Sequence, residues 1–287
     1  MIQETIRFPF QGKDNAVLTT YCSTGYSGGV LRKRPTVLIA PGGAYMSCSP
    51  REAECVAIHF VSMGMNAAVL TYSVGSDAVF PQSLCEFALA LAYLRENHEK
   101  YAIDPDRIYT CGFSAGAHLA LSLGVFWDKA WLSEKIGKDN ELIRPNAQII
   151  CYPVVSNSRD IRHTRSSMVL LGENPDPETE KLLSLENQVS ENTPPTFLWA
   201  TQPDSLSIHS MILAKALFDH QIPMEFHMYG WGGHGLSLAS RITQNAPNYG
   251  SDLKKNMDNP HIATWLPLCK EWLDTLFGWK VEESQPK

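Results

Sequence analysis

One pentapeptide in the sequence combines a nucleophile with the glycines that a tight turn needs. Gly112-Phe113-Ser114-Ala115-Gly116 follows a short β-prone run and precedes a segment of small, helix-prone residues. A G-x-S-x-G pattern between a strand and a helix predicts a nucleophile elbow, in which the turn exposes the serine hydroxyl. The glycines are expected because a Cβ at either place would collide with neighbouring backbone. The alternative interpretation is that Ser114 only caps the following helix.

A serine hydroxyl needs a base to accept its proton and a group that orients the base. On this architecture the order along the chain is serine, acid, histidine. We favour His234 as the base because it stands in a glycine-rich loop after the last predicted strand, although it could be a loop histidine that only packs or caps. His118, one helical turn beyond Ser114, is interpreted as a core histidine. Four further histidines fall within predicted elements or at the start of one: His209, His220, His227 and His261.

Asp204 is the predicted acid. It follows the apolar run 196–200, precedes a helix-prone segment and lies between Ser114 and His234 in the chain. Residues that follow the strands of a parallel sheet gather at one edge of that sheet, where ligands bind. An aspartate before a helix also suits an N-cap, so that interpretation stays open.

Acyl transfer also needs backbone N–H groups directed at the oxygen on which negative charge develops. Ala115, directly after the serine, is one candidate donor, and Gly43 and Ala44 in the Pro-Gly-Gly-Ala-Tyr segment 41–45 are the others, unless this segment is merely a turn. Tyr45 and Trp231 are predicted to line the substrate site, although such residues more often belong to the core. Met46, Tyr72 and Trp199 are further candidates for the lining of this site.

Apolar runs that alternate with helix-prone segments predict one α/β domain over residues 1–287 with a mostly parallel sheet. The predicted parallel strands are 35–40, 66–71, 107–111, 147–155, 196–200 and 224–229, after an antiparallel pair at 4–10 and 16–22. The predicted helices are 51–63, 81–99, a helix from residue 114, 205–220 and 262–277, with a loop at 24–29 and a frayed tail at 281–287. The polar segment 156–192 breaks this alternation and predicts a cap, or lid, inserted in the domain.

Composition narrows the class of protein. The 287 residues are 44% hydrophobic and 19% charged, with a net charge of −6, which offers no basic surface for nucleic acid or an anionic membrane. We expect no membrane span, because the sequence contains no apolar run of 18 residues. We expect no secretory signal, because the N-terminal residues do not form a basic segment followed by an apolar run. Seven cysteines without paired spacing favour reduced thiols in a cytoplasmic protein.

Four segments together resemble a known family, the α/β-hydrolase esterases described as bacterial acetyl-xylan or carbohydrate esterases: 41–45, 112–120, 193–199 and 233–236. The likeness extends over residues 37–279. It implies an eight-stranded α/β-hydrolase core, deacetylation of small or sugar esters without a cofactor or metal, and a triad of Ser114, Asp204 and His234. The chain departs from the family at Pro41, where a histidine is common, and in the residues just before and after Asp204.

The predicted function is therefore that of a serine ester hydrolase acting on a small-molecule ester with a short acyl group, above all acetyl. The sequence leaves the oligomeric state open, a homodimer included. One alternative is a peptidase of the prolyl-oligopeptidase type, which normally carries a large N-terminal domain, whereas residues 1–34 are all that precede the first predicted core strand in this sequence. The other is a catalytically silent hydrolase-fold protein that binds a ligand, which the three well-placed residue types argue against.

Overall fold

A mostly parallel, eight-stranded sheet forms the centre of the protein. The computed structural model describes residues 1–23, 26–27, 30–172, 175–244 and 258–278. The strands within these ranges are β1 (Thr5–Phe10), β2 (Lys13–Tyr21), β3 (Tyr26–Ser27), β4 (Val30–Leu31), β5 (Arg34–Ala40), β6 (Asn66–Thr71), β7 (Ile103–Phe113), β8 (Ala147–Cys151), β9 (Thr196–Thr201) and β10 (Met224–Tyr229). The sheet order is β1-β2-β6-β5-β7-β8-β9-β10, while β3 and β4 form a separate antiparallel ribbon.

The parallel part of the sheet runs from β6 to β10, and β1 and β2 join it antiparallel at one edge. All residues of β8 and β9 are buried, as are the last five of β5 and the first five of β6. Continuous apolar runs suit strands that are covered on both faces, which is the reason they could be recognised in the sequence. The predicted eight-stranded, mostly parallel sheet is confirmed.

Helices cover both faces of the sheet. They are α1 (Glu54–Ser62), α2 (Gln82–Glu96), α3 (Ala115–Phe126), α4 (Ala130–Ile136), α5 (Asn140–Ile143), α6 (Thr164–Leu171), α7 (Pro177–Leu182), α8 (Ser207–Asp219) and α9 (Trp265–Phe277). Side chains of α2, α3 and α8 build the apolar core on one face. Side chains of α1 and α9 build a second core on the other face. None of the helices in the described ranges has the length and apolar character needed to span a bilayer.

Some element boundaries differ from the expected ones. The helix expected over 51–63 is divided into a 3₁₀ turn, Pro50–Glu52, and α1. The strand expected over 147–155 ends at Cys151, because Tyr152 has a positive φ of 37° and a proline follows it. Helices α4 and α5 were not predicted. Of the expected loop 24–29, only 26–27 are described, as β3, and the tail 281–287 lies outside the described residues.

The turn from β7 into α3 is fixed by close backbone contacts. Ser114 has φ +54° and ψ −116°, which only a tightly constrained turn imposes on a residue with a side chain. A Cβ on Gly116 would lie 2.1 Å from the Ala40 carbonyl oxygen, and one on Gly112 would lie 2.2 Å from the Gly116 oxygen. The expected steric role of both glycines is confirmed.

The segment expected as a cap, 156–192, contains α6, α7 and a 3₁₀ turn, Leu185–Asn187, apart from the undescribed residues 173–174. Two buried histidines fasten it to the core. His118 Nδ1 accepts the Tyr45 hydroxyl proton at 2.9 Å, and its Nε2–H donates to the Leu183 carbonyl at 3.1 Å. Its interpretation as a satisfied core histidine is confirmed.

The second of these histidines is His209 on α8. Its Nδ1 accepts the N–H groups of Val155 and Ser156, at 2.9 and 3.0 Å. Its Nε2–H donates to the Ile161 carbonyl at 2.9 Å. An imidazole that accepts at Nδ1 must be neutral, so the bonds of His209 to Val155 and Ser156 require its unprotonated form, whereas the Nε2–H bond of His118 to Leu183 does not.

Gly116→Ala is expected to lower the free energy of unfolding by about 1–3 kcal/mol or more, because the added Cβ meets backbone oxygens that cannot move aside cheaply. Urea denaturation followed by tryptophan fluorescence measures the loss. Gly230→Ala is the matched control, since a Cβ there meets nothing within 4 Å. Equal stability of the two variants would contradict the steric account of the turn.

Acid is expected to destabilise the fold through His118. Burial lowers the pKa of His118 from 6.5 to about 4. Above about pH 6.5 both states are neutral and this residue has no effect. Between pH 6.5 and 4 only the unfolded chain binds the proton, so the free energy of unfolding falls by up to about 1.4 kcal/mol per pH unit. Urea midpoints at pH 7, 6 and 5 measure the slope, which His118→Gln should reduce.

His220→Gln, which replaces an exposed histidine, is the control for that slope. The account is wrong if His118→Gln and His220→Gln retain the same pH dependence as the unaltered protein.

Candidate active site

Ser114 lies at the turn between β7 and α3, at the carboxyl edge of the sheet. The backbone on both sides of it is pinned to β8 and the residues after it: Ser114 N–H donates to the Cys151 carbonyl at 3.0 Å, and Val154 N–H donates to the Ser114 carbonyl at 3.1 Å. The serine is 8% exposed, so it lies at the floor of the site. These contacts hold its hydroxyl in one place while leaving the oxygen accessible.

His234 reaches Ser114 from the loop that follows β10. Its Nε2 lies 2.7 Å from the Ser114 Oγ, and its side chain is about one-third exposed. Glycines stand on both sides of this histidine, two before it and one after, and Gly232 and Gly235 have positive φ angles of 99° and 75°. The glycines allow the loop to fold the imidazole back over the sheet edge.

Asp204 completes a line of three side chains. Its Oδ2 lies 2.7 Å from His234 Nδ1, and its Oδ1 accepts the Leu206 N–H at 2.9 Å. Because an ionised carboxylate only accepts hydrogen bonds, His234 carries its proton on Nδ1 and presents Nε2 as the acceptor for the Ser114 hydroxyl. Helix α8 begins at Ser207 and Leu206 is its N-cap. The alternative interpretation of Asp204 as the N-cap of this helix is therefore wrong.

The other candidate histidines have different contacts. His209 and His118 hold the 156–192 segment, as described above. His227 bonds to Glu225 within β10 at 2.7 Å, and His261 packs edge-on against the Tyr229 ring. The geometry therefore brings His234 to Ser114 and leaves these four engaged elsewhere.

The loop after β5 lies directly against the serine turn. A Cβ on Gly42 would lie 3.0 Å from the Ser114 Cβ and 2.7 Å from the Phe113 oxygen. Gly43 and Ala44 both have positive φ angles, of 135° and 57°, so successive peptides turn in the left-handed sense. Such consecutive N–H groups form a concavity that suits an anion.

The N–H groups suggested by the sequence for an oxyanion hole have no hydrogen-bond acceptor among the described residues, whereas another N–H group of the same loop has one. Gly42 N–H is occupied, since it donates to the Glu52 Oε2 at 2.8 Å. Within the part of the chain that the structure describes, no protein acceptor takes the N–H groups of Gly43, Ala44 or Ala115. Ala115 N–H also lies in the first turn of α3, where the backbone dipoles favour negative charge.

The aromatic residues predicted for the substrate site separate into two groups. Tyr45 is 1% exposed with its hydroxyl bonded to His118, so it belongs to the core beneath the loop and does not line the site as expected. The sequence places Tyr45 in the loop but does not indicate that its ring turns into the core. Trp231 is 54% exposed in the His234 loop, and Met46 is 53% exposed beside the Gly43–Ala44 turn. Tyr72 and Trp199 are fully buried core residues.

Three residues that the sequence did not single out also lie at or beneath the site. Tyr152 packs edge-on against the His234 ring, with 5.2 Å between ring centroids, and Glu52 bonds both Gly42 and Tyr152. His163, at the start of α6, is half-buried, and burial followed by the nearby His234 lowers its pKa. Tyr152 lies inside the strand that the sequence predicts over 147–155, so its place at the end of that strand could not be recognised from the sequence.

Chemically, the arrangement provides a hydroxyl nucleophile, a neutral imidazole that can accept its proton, a carboxylate that orients the imidazole, and unoccupied N–H donors. Within the described ranges, no three His, Cys, Asp or Glu side chains are grouped so as to bind a metal ion. All seven cysteines are free thiols.

Comparison with known proteins gives the same picture of the fold. The BD-FAE family profile matches residues 29–217. An acetyl ester–xyloside bifunctional hydrolase from Caldicellulosiruptor lactoaceticus, of known crystal structure, is 34% identical with a TM-score of 0.76, covering 91% of this chain and 88% of that one.

Two characterised relatives are also similar. Endo-1,4-beta-xylanase B of Butyrivibrio fibrisolvens is 37% identical over 219 residues, 72% of this chain, and an acetyl esterase of Salmonella dublin is 25% identical over 194 residues, 62% of this chain. The aligned part spans 33% of the xylanase and 58% of the acetyl esterase. The chain belongs to the BD-FAE family and has the α/β-hydrolase fold of the esterases to which it is similar.

Proposed function

We propose that this protein is a serine carboxylic ester hydrolase that removes short acyl groups, above all acetyl, from small or carbohydrate esters. The observation that carries the proposal is the continuous line from the Ser114 hydroxyl through the His234 imidazole to the Asp204 carboxylate, with 2.7 Å at each hydrogen bond. Three residues from separate parts of the chain have the types, order and spacing that nucleophilic acyl transfer requires.

In the first half of the reaction, Ser114 Oγ attacks the ester carbonyl carbon while His234 Nε2 accepts the hydroxyl proton. The imidazolium that forms is stabilised by the buried Asp204 carboxylate, whose side chain is 1% exposed. The tetrahedral intermediate then collapses, His234 donates its proton to the leaving alcohol oxygen, and the acyl group stays on Ser114.

In the second half, a water molecule occupies the place of the alcohol. His234 accepts a proton from this water, which attacks the acyl-enzyme, and the imidazolium returns the proton to Ser114 Oγ as the carboxylic acid leaves. In both halves the N–H groups of Gly43, Ala44 and Ala115 are proposed to bind the oxygen that becomes negatively charged. Their lack of protein acceptors supports this role, because bound donors would have to break a bond first.

The acyl and alcohol preferences are supported by the relatives and by the rim of the site. The C. lactoaceticus and S. dublin proteins are described as an acetyl ester–xyloside hydrolase and an acetyl esterase. Trp231 in the His234 loop and Met46 beside the Gly43–Ala44 turn expose apolar surface, and an aromatic face suits the C–H face of a sugar ring. A short acyl chain with a carbohydrate alcohol fits these features best.

Ser114→Ala is expected to abolish hydrolysis of p-nitrophenyl acetate, and Asp204→Asn to lower kcat about 10,000-fold, because the asparagine would favour the wrong imidazole tautomer. Release of p-nitrophenol, with circular dichroism to verify folding, measures both effects. Ser62→Ala, which removes an exposed hydroxyl at the end of α1, is the matched control and should keep full activity. Retention of wild-type turnover by folded Ser114→Ala would disprove the proposed nucleophile.

A panel of p-nitrophenyl esters of rising chain length and acetylated sugars tests the substrate class. We expect kcat/KM to fall beyond the shortest chains, and Trp231→Ala to lower kcat/KM for acetylated sugars while p-nitrophenyl acetate is hydrolysed as before. Phe218→Ala is the control, since this exposed aromatic lies at the far end of α8 from Asp204. A preference for long acyl chains, or equal effects of the two variants, would contradict the assignment.

A further inference from the structure

We propose that Glu52 and Tyr152 are positioning residues, which hold the oxyanion loop, residues 41–45, and the His234 loop, residues 230–237, at a fixed separation around Ser114. The inference rests on the proposed function, because it assigns what keeps those two loops in register during the reaction. Neither side chain hydrogen-bonds the Ser114 hydroxyl or the His234 imidazole.

Glu52 is a buried carboxylate, 3% exposed, in the 3₁₀ turn that follows the oxyanion loop. Its Oε2 accepts the Gly42 N–H at 2.8 Å, and its Oε1 accepts the Tyr152 hydroxyl proton at 2.7 Å. Both oxygens act as acceptors, an arrangement that fits an ionised carboxylate. The bond to Gly42 fixes the peptide immediately before the Gly43 and Ala44 N–H groups.

Tyr152 carries the connection to the other loop. Its hydroxyl accepts the Ser237 N–H at 2.8 Å while it donates to Glu52, and its ring packs edge-on against His234. Ser237 lies three residues after His234 and has a positive φ of 54°, so its peptide needs an outside contact to hold it. Burial, then the adjacent Glu52 carboxylate, raises the pKa of Tyr152, which therefore stays a hydroxyl donor.

Arg51, the neighbour of Glu52, holds the same loop from a second side. Its guanidinium donates to the carbonyls of Gly235 and Thr243, and its own carbonyl accepts the Ser237 hydroxyl at 2.6 Å. One short turn, Pro50–Glu52, thus bonds the oxyanion loop through the Glu52 side chain. It bonds the His234 loop directly through Arg51 and indirectly through the Glu52–Tyr152 hydrogen bond. A shift of this turn would move both loops relative to Ser114.

The position of this network distinguishes it from an ordinary buried polar cluster. The protein has a comparable carboxylate, Glu86, which is fully buried and accepts bonds from Ser73 and Gln82 at 2.5–2.8 Å. Those partners connect the end of β6 to α2, and they contact none of the proposed catalytic groups. Glu52 instead joins the two loops that carry the oxyanion donors and the base, where a displacement of about 1 Å can lower the rate about 100-fold.

The test compares Glu52→Gln and Tyr152→Phe with the unaltered enzyme on p-nitrophenyl acetate. A glutamine keeps one acceptor oxygen for Gly42 but places an amide N–H where Tyr152 needs an acceptor, so the Tyr152 hydroxyl proton loses its partner. The phenylalanine leaves Ser237 N–H without its acceptor. We expect each to lower kcat and kcat/KM together, by about 10- to 100-fold, with KM nearly unchanged, since the loops are needed most in the transition state. Affinity for a trifluoromethyl ketone, which forms a tetrahedral adduct with the serine, should fall in parallel.

Glu86→Gln and Tyr101→Phe are the matched controls. The first disturbs a carboxylate with the same kind of bonds, and the second removes a hydroxyl that bonds Tyr93 and Glu4. Both should be destabilised in thermal melts without the loss of kcat or of ketone affinity. If the four variants lose activity only in proportion to their loss of stability, Glu52 and Tyr152 are merely structural and the proposal is overturned.

The double variant Glu52→Gln/Tyr152→Phe gives a further readout. If the two residues act as one unit, the loss of kcat in the double variant is close to that of either single variant, whereas independent residues give the product of both losses.

Activity of the unaltered enzyme distinguishes a failure of the positioning role from a failure of the proposed function. An active enzyme with unaffected variants removes only the positioning role, whereas an unaltered protein that neither turns over the ester nor binds the ketone refutes the function and the positioning role with it.

Discussion

The constraint on which the site depends is the close backbone contact between the start of α3 and the end of β5. Gly116 lies so near the Ala40 and Pro41 carbonyl oxygens that no side chain fits between them. This close contact accompanies the positive φ angle of Ser114, and it places the loop after β5 against the serine. The site follows from it, because the nucleophile, the first turn of a helix and the loop with unoccupied N–H groups meet where these backbones approach each other.

Around that contact, buried polar groups decide the arrangement of the loops. The carbonyl edge of a parallel sheet leaves many backbone groups to be satisfied, and a buried polar group without a partner is costly. Here, the partners are side chains that reach between distant segments: Glu52 and Tyr152 between two loops, and His118 and His209 between the core and the 156–192 segment. Fully satisfied networks of this kind favour one loop conformation over others.

The two histidines that hold the 156–192 segment and the histidine of the site illustrate how environment separates chemically identical side chains. His118 is enclosed, has acceptor and donor partners and stays neutral. His234 stands on a loop with about one-third of its side chain exposed and bonds a carboxylate on one nitrogen and a hydroxyl on the other. An imidazole can exchange protons with a substrate only in the second environment, because the first offers no route for a substrate atom.

The sequence by itself predicted the succession of the main strands and helices along the chain, the turn at Ser114 and the three residues that meet there. Each depends on a local pattern: continuous apolar runs, paired glycines, and polar residues placed just after strands. The sequence did not determine the burial of Tyr45, the division of the 51–63 helix, the short helices α4 and α5, or the roles of Glu52 and Tyr152 as bridges. Glu52 and Tyr152 are 100 residues apart in the chain. Only the tertiary structure decides such contacts, since a hydrogen bond between distant segments leaves no periodicity in the sequence and its energy depends on burial that the whole fold creates.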